Sequence, residues 1–208
     1  MYDHTTSIGT FMDALAARQP VPGGGSVAAL AAALAASMGE MVLNYSLGRK
    51  DLQAYAAELR PALAEFSRAR GLLLLLMVED QMAFEAMTAA RKLPQGSAER
   101  AARFPPSLLA AVRTPQAVGA TAVAILEICD KMINFVNFHL LSDLAVCADL
   151  AMAAARCAVY NVRVNLSDVA DPQERQRIEL AIGQLLTRAA GLIQRVGPRI
   201  WGRHAQGA

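Results

Sequence analysis

Apolar residues recur every three or four positions along nearly the whole chain, and no stretch alternates apolar with polar residues as a half-buried strand does. This period predicts helices, and the short connections between them predict antiparallel neighbours. We therefore expect an all-α fold, an up-and-down antiparallel bundle of long helices. The predicted segments are the stripe Ile8, Phe11, Met12 and Leu15 after a Thr5-Thr6-Ser7 cap region; Ser26 to about Ser46; about Asp51 to Arg91, interrupted near Pro61; a short piece around Ser107 to Val112; Pro115 to about Phe135; about Leu141 to Leu166; and a last helix from Asp171-Pro172.

Alanine dominates these segments, above all the run that follows Ser26. Small side chains let helix axes approach closely, which suits a tight bundle and also a helical dimer interface. The chain has 208 residues, of which 54% are hydrophobic, and this is enough to bury one core. We expect a single domain over residues 1–208 that dimerises through its alanine-rich faces.

Composition argues against several functions. The net charge of +2, with acidic and basic residues mixed along the chain, provides no basic tract for nucleic acid. Cys129, Cys147 and Cys157 form no Cys-x-x-Cys pair, and they indicate reduced core residues of a cytoplasmic protein. The three histidines are isolated in the sequence, so no metal site is predicted.

Two apolar stretches resemble membrane spans, Val27–Val42 and Leu72–Val78. The second is far shorter than the ~20 residues that a bilayer needs, and the first is mostly alanine and carries Glu40. The N-terminus has Asp3 and His4 where a signal peptide has basic residues. We expect a cytoplasmic protein without a membrane partner.

Three consecutive glycines occur in the segment Pro20-Val21-Pro22-Gly23-Gly24-Gly25-Ser26, directly before the alanine-rich helix. Glycine permits positive φ and a close approach of the backbone to a ligand, Ser26 can cap the helix, and the free N–H groups of the first turn can bind an anion. An ordinary tight turn explains the same residues about equally well. Neither a Walker A lysine nor the Gly-x-Gly-x-x-Gly spacing is present, so no nucleotide site is predicted.

One acidic pair breaks the apolar faces. Asp80 follows the apolar run that ends at Val78, which carries its carboxylate toward the bundle interior. Burial, or the like charge of Glu79, would raise the pKa of Asp80 into a range that is useful for acid–base catalysis. The alternative is that Glu79 and Asp80 form the solvated edge of their helix.

A second polar group comprises Ser142-Asp143, Asn161 and Asn165 on one predicted helix. Asp143 and Asn161 are 18 residues apart, so they share a face but lie about 27 Å apart along the axis. A long ligand could span part of that distance, or an antiparallel helix of a second subunit could bring the two side chains together. As alternatives, Ser142-Asp143 is an ordinary N-cap and the two asparagines satisfy a helix end.

In their order along the chain, these motifs resemble the cyclodeaminase/cyclohydrolase family of tetrahydrofolate one-carbon metabolism. The resemblance covers roughly residues 8–170. Its motifs are Pro22-Gly23-Gly24-Gly25-Ser26, Met41-Val42 before Gly48-Arg49-Lys50, Asp80 with Ala83-Phe84, Lys92-Leu93-Pro94, Thr114-Pro115, Ser142-Asp143 and Asn161-Val162-Arg163-Val164-Asn165-Leu166.

The resemblance implies a helical bundle that dimerises and binds folate. It implies methenyltetrahydrofolate cyclohydrolase as the activity, with no cofactor beyond the tetrahydrofolate substrate. The alternatives are formiminotetrahydrofolate cyclodeaminase, or a folate-binding or helical assembly protein without turnover.

The resemblance also assigns roles to residues. Asp80 is expected to stabilise the cationic methenyl bridge and to transfer the proton, with Asp143 as the second candidate. The expected substrate-binding residues are Gly23, Gly24, Gly25 and Ser26 with Arg49 and Lys50 for the folate carboxylates; Asn137, Asn161 and Asn165 for the pterin ring; and Ser142.

The chain departs from the family pattern at several positions. Val136 replaces the glycine that usually precedes Asn137, and the family's Gly-Lys-Lys-Lys becomes Gly48-Arg49-Lys50-Asp51. Thr114 stands in place of a valine, and the stretch between Pro94 and Pro115 is shortened. The lost glycine and the changed basic loop could alter which substrate the protein accepts and whether it turns the substrate over.

Overall fold

The computed structural model describes residues 1–206, which fold into six α-helices and two short 3₁₀ segments. No strand occurs among these residues, and the prediction of an all-α fold is confirmed. The 3₁₀ segments, Lys50–Tyr55 and Phe138–Leu140, precede α3 and α5. The helices are α1 (Ile8–Ala16), α2 (Gly24–Leu47), α3 (Ala56–Arg91), α4 (Ala98–Met132), α5 (Leu141–Leu166) and α6 (Pro172–Gln206).

Helices α2 to α5 form the bundle, and α6 packs against α4 and α5. The alanine-rich helix α2 is central, because it contacts α3, α4 and α5. Its small side chains are buried almost completely, and a Cβ atom on Gly39 would lie 2.5 Å from the Phe66 ring of α3. The absence of larger side chains therefore lets the neighbouring helices approach α2 closely.

Prolines do not interrupt the long helices as predicted. Helix α3 continues through Pro61, and α4 continues through Pro105, Pro106 and Pro115. The expected break near Pro61 and the separate helices before and after Pro115 are therefore wrong. A proline removes one hydrogen bond from its helix, but the buried face of α4 runs on both sides of Pro115 and its packing holds the helix together.

Helix α1 begins as predicted, since the N–H of Thr10 donates to the Ser7 hydroxyl at 3.1 Å. Its apolar stripe is not a core face, however. Phe11 is buried, whereas Ile8 and Met12 are exposed and line a cavity. The predicted starts of the last two helices agree better with the structure. Helix α5 spans Leu141–Leu166 as predicted. Before α6, the Asp171 side chain accepts a hydrogen bond from the N–H of Gln173 at 2.9 Å.

Three helical stretches of the described chain are long and apolar enough to cross a membrane, judged by length and composition alone: Gly24–Leu47, Ala98–Met132 and Phe138–Leu166. In the bundle these helices pack against one another. The absence of a membrane partner stays a prediction, as does the extent of the domain over residues 1–208.

Candidate active site

Helix α2 begins at Gly24 with Gly23 as its N-cap residue, so Ser26 lies inside the first turn. The prediction that Ser26 caps the helix is therefore wrong. The Ser26 hydroxyl is buried and reaches across to α3, where it lies 3.0 Å from Asp80 Oδ2 and 3.3 Å from the carbonyl oxygen of Met77. The serine thus joins the start of α2 to the catalytic candidate on α3.

The glycines allow neighbouring side chains to approach the backbone closely, and they do not adopt an unusual backbone conformation. Among the described residues, positive φ occurs only at Gly96. A Cβ atom on Gly25 would lie 1.9 Å from Asp80 Oδ1, and one on Gly24 would lie 3.2 Å from Asn161 Oδ1. Side chains of α3 and α5 therefore rest directly on the backbone of the first turn of α2.

Burial raises the pKa of the Asp80 carboxyl above its ordinary value. The hydroxyl and the backbone N–H of Ser26 both donate to this carboxylate and lower its pKa, so they partly offset the burial. Glu79 points outward and is exposed. Of the two predicted causes of the raised pKa, burial is the one that acts, and the Asp80 carboxylate lies partly buried at the positive end of α2.

Asn161 of α5 reaches the same place, and Asn165 lies one helical turn beyond it. Asn161 donates its Nδ2 to the carbonyl oxygen of Cys157 at 2.8 Å, and its Oδ1 faces Gly24. Asn165 donates to the carbonyl oxygens of Ala111 and Asn161 at 3.3 and 3.2 Å. We call this cluster the glycine end: Gly23, Gly24, Gly25, Ser26, Asp80, Asn161 and Asn165.

The other predicted residues lie at the opposite end of α2. Helix α2 has 24 residues and is therefore about 36 Å long, which separates Gly24 from Arg49 and Lys50. A joint carboxylate site of the glycines with these two cations is not formed within one chain. We call the second cluster the Asp143 end: Arg49, Lys50, Asn137, Ser142 and Asp143.

The side chains at the Asp143 end bond locally. Arg49 pairs with Asp51 at 2.9 Å, and this hydrogen bond lowers the pKa of the Asp51 carboxyl and raises the pKa of Arg49. The Asn137 side chain accepts from the N–H of His139 at 3.1 Å. Lys50 and Ser142 are exposed.

Ser142 and Asp143 lie within the first turn of α5, whose N-cap residue is Leu140. The N-cap alternative for this pair is therefore wrong. Both side chains remain at the start of the helix, about 27 Å from Asn161.

The departure at Val136 has a structural explanation. Val136 is fully buried, and its φ is not positive, so the backbone does not require glycine there. The side chain of Arg203 donates to the carbonyl oxygens of Ile133 and Val136 and fixes the segment before Asn137. Sequence reasoning missed Arg203, because the contact joins residues about 70 positions apart and belongs to no local motif.

Gln81 was also missed. It is fully buried beside Asp80, accepts from the N–H of Tyr2 at 2.9 Å and donates to the carbonyl oxygen of Tyr2 at 2.7 Å. The N-terminal segment is thereby held against α3 next to the glycine end. A glutamine in an amphipathic helix gives no sequence signal for such a contact.

An apolar cavity of about 610 Å³ begins beside the glycine end. Val27, the neighbour of Ser26, and Met77, whose carbonyl oxygen accepts from Ser26, both line it. The exposed stripe of α1 covers one side, and Arg70 lies on the wall formed by α3. The cavity is of the size that encloses small organic ligands.

Comparisons with known proteins place the chain in a family. Residues 7–184 match the family described as formiminotransferase-cyclodeaminase. The chain is 32% identical over 197 residues to methenyltetrahydrofolate cyclohydrolase of Methylorubrum extorquens, a match that covers 91% of this chain and 93% of that protein. It is 33% identical over 198 residues to formimidoyltransferase-cyclodeaminase of Sus scrofa, but it spans only 37% of that longer protein.

A solved structure has the same fold. The crystal structure of formiminotetrahydrofolate cyclodeaminase from Thermotoga maritima matches with a TM-score of 0.87 and 28% sequence identity. The match covers 95% of this chain and 96% of that chain. The likeness therefore extends over the whole bundle and includes both ends of α2.

Proposed function

This chain belongs to the formiminotransferase-cyclodeaminase family, and we propose that it is a methenyltetrahydrofolate cyclohydrolase, which adds water to 5,10-methenyltetrahydrofolate to give 10-formyltetrahydrofolate. One structural observation carries the proposal. The Asp80 carboxylate is partly buried, is held by Ser26 and lies directly against the backbone of Gly25, close to the apolar cavity that Val27 and Met77 line.

Asp80 has the chemistry that the reaction needs. The methenyl bridge between N5 and N10 carries a positive charge, and a carboxylate with little water around it stabilises that charge. As the oxygen of water bonds to the bridge carbon, Asp80 accepts a proton from the water. The carbon–N5 bond then breaks, N5 takes the proton from Asp80, and the proton of the new hydroxyl leaves to solvent as the formyl group forms.

The surroundings of Asp80 suit a folate. The Ser26 hydroxyl and N–H fix the orientation of the carboxylate, so it needs little rearrangement during proton transfer. The Oδ1 atom of Asn161 is an acceptor for the N–H groups of a pterin. The apolar cavity beside Val27 accommodates an aromatic ring.

Formiminotetrahydrofolate cyclodeaminase is the second candidate function. The likeness to the Thermotoga maritima cyclodeaminase favours it, since that match covers nearly all of both chains. In that reaction N10 attacks the formimino carbon and ammonia leaves. A single carboxylate beside the cationic centre, here Asp80, can transfer the proton in this reaction as well. The cyclohydrolase comes first because the sequence identity to the Methylorubrum extorquens cyclohydrolase, 32%, exceeds the 28% identity to the Thermotoga maritima cyclodeaminase.

Spectroscopic assays of the purified protein separate these functions. With 5,10-methenyltetrahydrofolate we expect loss of the methenyl absorbance at a rate proportional to protein concentration and above the spontaneous rate. With 5-formiminotetrahydrofolate we expect no release of ammonia. Ammonia release without hydrolysis would establish the second candidate, and folate binding without either reaction would establish a binding protein.

We also propose a cytoplasmic homodimer that requires no cofactor beyond its tetrahydrofolate substrate and binds neither membrane nor nucleic acid. The large apolar side chains that α2 and α5 expose support the dimer. Sedimentation at micromolar concentration should give twice the chain mass of 22.1 kDa. Cell fractionation should place the protein in the supernatant without detergent, and a pellet that only detergent releases would contradict the absence of a membrane partner.

A further inference from the structure

We propose that the p-aminobenzoylglutamate part of the folate binds in the apolar cavity beside the glycine end, and that Arg70 at the far end of this cavity binds the glutamate carboxylates. The identity of the ligand rests on the proposed folate function. The path of the cavity along α2 and α3, the distance from Asp80 to Arg70 and the charges at the two ends carry the proposal.

The cavity follows the groove between α2 and α3. These helices are antiparallel neighbours, because Ser26 of α2 bonds Asp80 of α3 and Glu40 of α2 bonds Arg70 of α3. Val27 lines the cavity beside the first contact, and Arg70 itself lines it at the second. Apolar side chains of both helices and of α1 form most of the wall between them. The cavity therefore leads from the candidate base to a cation.

The length of the cavity suits this part of a folate. Asp80 and Arg70 are ten residues apart on α3, which is about 15 Å along the axis. Standard bond lengths put the glutamate carboxylates about 9–12 Å from N10 in an extended p-aminobenzoylglutamate. A hydrogen bond of about 3 Å covers the remaining distance. Arg49 and Lys50 lie beyond the far end of α2, where only the later glutamates of a longer tail would arrive.

The charges at the two ends of the cavity are opposite. Asp80 lies beside one end, and Gln81 holds the Tyr2 backbone there, which brings the carboxylate of Asp3 to the cavity wall. Among the described residues that line the cavity, Arg70 is the only arginine or lysine. The substrate 5,10-methenyltetrahydrofolate carries a cation at its bridge and carboxylates on its glutamate. Its charges therefore complement those of the cavity in one orientation.

Glu40 holds Arg70 without using all of its donors. The Nε and Nη2 atoms of Arg70 donate to the two carboxylate oxygens of Glu40 at 2.6 and 3.4 Å. A guanidinium has five N–H groups, so this pair leaves three for a ligand. The Glu40 side chain is 16% exposed and that of Arg70 is 41% exposed. The pair therefore orients the guanidinium and leaves one edge accessible to a carboxylate.

Binding of a fragment tests the site without any reaction. The protein is titrated with p-aminobenzoylglutamate and, as the matched ligand, with p-aminobenzamide, which lacks the glutamate, and binding is followed by NMR. We expect saturable binding of p-aminobenzoylglutamate and at least tenfold weaker binding of p-aminobenzamide. Equal affinities, or no saturation with p-aminobenzoylglutamate, would overturn the proposal.

Three variants separate a ligand-binding arginine from a structural ion pair. Arg70→Leu should weaken the binding of p-aminobenzoylglutamate about tenfold, the scale of hydrogen bonds to a charged group, and leave that of p-aminobenzamide unchanged. Glu40→Gln breaks the same ion pair but keeps the guanidinium, so the affinity should stay the same or increase. Arg68→Leu removes a charge from another side of α3 and should bind as the wild type does. Equal losses in Arg70→Leu and Glu40→Gln would make the pair purely structural and contradict a binding role.

Photoaffinity labelling tests the path of the tail. In p-azidobenzoylglutamate an azide replaces the amino group, and irradiation releases N₂ and leaves a nitrene that inserts into neighbouring bonds. We expect mass spectrometry to find labels on cavity residues such as Leu30, Leu74 and Met77, and an excess of p-aminobenzoylglutamate should prevent them. Labels confined to Lys50–Tyr55 would place the tail at the Asp143 end instead.

Kinetics separates this proposal from the proposed function. With 5,10-methenyltetrahydrofolate, Arg70→Leu should raise KM about tenfold and change kcat far less, because the lost contact holds the substrate and the transition state alike. An active protein whose KM does not depend on Arg70 would overturn only the tail site. Fragment binding that depends on Arg70, in a protein that catalyses neither folate reaction, would overturn only the proposed function.

Discussion

The two ends of α2 differ in how their polar side chains are held. At the glycine end, contacts between helices fix the residues, since Ser26 bonds Asp80 and Gly24 supports Asn161. At the Asp143 end, the side chain of Arg49 pairs with its near neighbour Asp51, and Lys50 lies in solvent. One end is an assembled site and the other is a set of groups on a surface.

The two ends can therefore contribute different things to a reaction. A carboxylate can act as a tuned base only where burial and fixed donors set its pKa, and Asp80 has both. Solvated groups can attract and orient a charged ligand, but they supply little to the chemical step. We therefore expect substitutions at the glycine end to change turnover and those at the Asp143 end to change substrate affinity more.

The largest effect is expected for Asp80→Asn, which should lower turnover by roughly 10²-fold or more, the usual scale of general acid–base catalysis. The substitution is nearly isosteric, so the fold and most of the folate affinity should remain. Asp143→Asn should lower kcat/KM about tenfold, mainly through a higher KM, which is the scale of one hydrogen bond to a charged group. Steady-state kinetics with 5,10-methenyltetrahydrofolate measures both.

Glu79→Gln is the matched control, because Glu79 is the exposed neighbour of Asp80. Its turnover should equal that of the wild type. If Asp143→Asn were the more damaging of the two aspartate changes, the roles of the two ends would be reversed. If neither change mattered, the chemistry would lie elsewhere or the chain would not be an enzyme.

The next largest effect is expected along the glycines. Gly25→Ala places its methyl group 1.9 Å from Asp80 Oδ1, so the carboxylate must move and turnover should fall at least tenfold. In Gly24→Ala the new methyl group lies 3.2 Å from the Asn161 amide oxygen. Turnover should fall a few-fold, which corresponds to about 1 kcal/mol or less. A Cβ atom on Gly23 has no other atom within 4 Å, so Gly23→Ala should leave turnover unchanged.

Kinetics and thermal unfolding on the same preparations decide this series. Equal losses of turnover in all three glycine variants would indicate that the backbone conformation of the loop is the cause. A collapse of stability at Gly25 with normal turnover in the folded fraction would make that glycine purely structural.

A smaller effect is expected at the Asp143 end. Asp51→Lys removes the ion pair that occupies Arg49 and restores the lysine that the family pattern has at this position. It should lower KM for the folate a few-fold, more for substrates with several glutamates, and leave kcat unchanged. Arg49→Ala should raise KM by a similar factor. A change in kcat without a change in KM would contradict a binding role for this end.

The smallest effect concerns stability. Burial raises the pKa of Asp80, so its contribution to folding is fully present below the unfolded pKa, near 3.8, and is lost as the pH rises through the folded value. Asp80→Asn should therefore be at least as stable as the wild type at pH 7.5. Its advantage should shrink on acidification. Urea unfolding of both proteins at several pH values provides the comparison, and an advantage that grows toward low pH would contradict the raised pKa.

The helical fold and the residue types of the candidate site could be predicted from the amino-acid sequence alone. The three- to four-residue period, the Ser7 and Asp171 starts and the alanine content fix helices that can pack closely, because these are local properties of the chain. The break at Pro61 was wrongly predicted, because proline acts locally as a breaker whereas packing along the whole of α3 outweighs it.

Which of the candidate residues lie together depends on how the helices pack. The resemblance placed the glycines together with Arg49 and Lys50 in one expected carboxylate site, whereas the bundle separates them by the length of α2, about 36 Å. It also turned Ser26 from a cap into a partner of Asp80 and gave the glycines their role of admitting side chains from α3 and α5. These contacts join residues more than 50 positions apart, so no local pattern in the sequence could specify them.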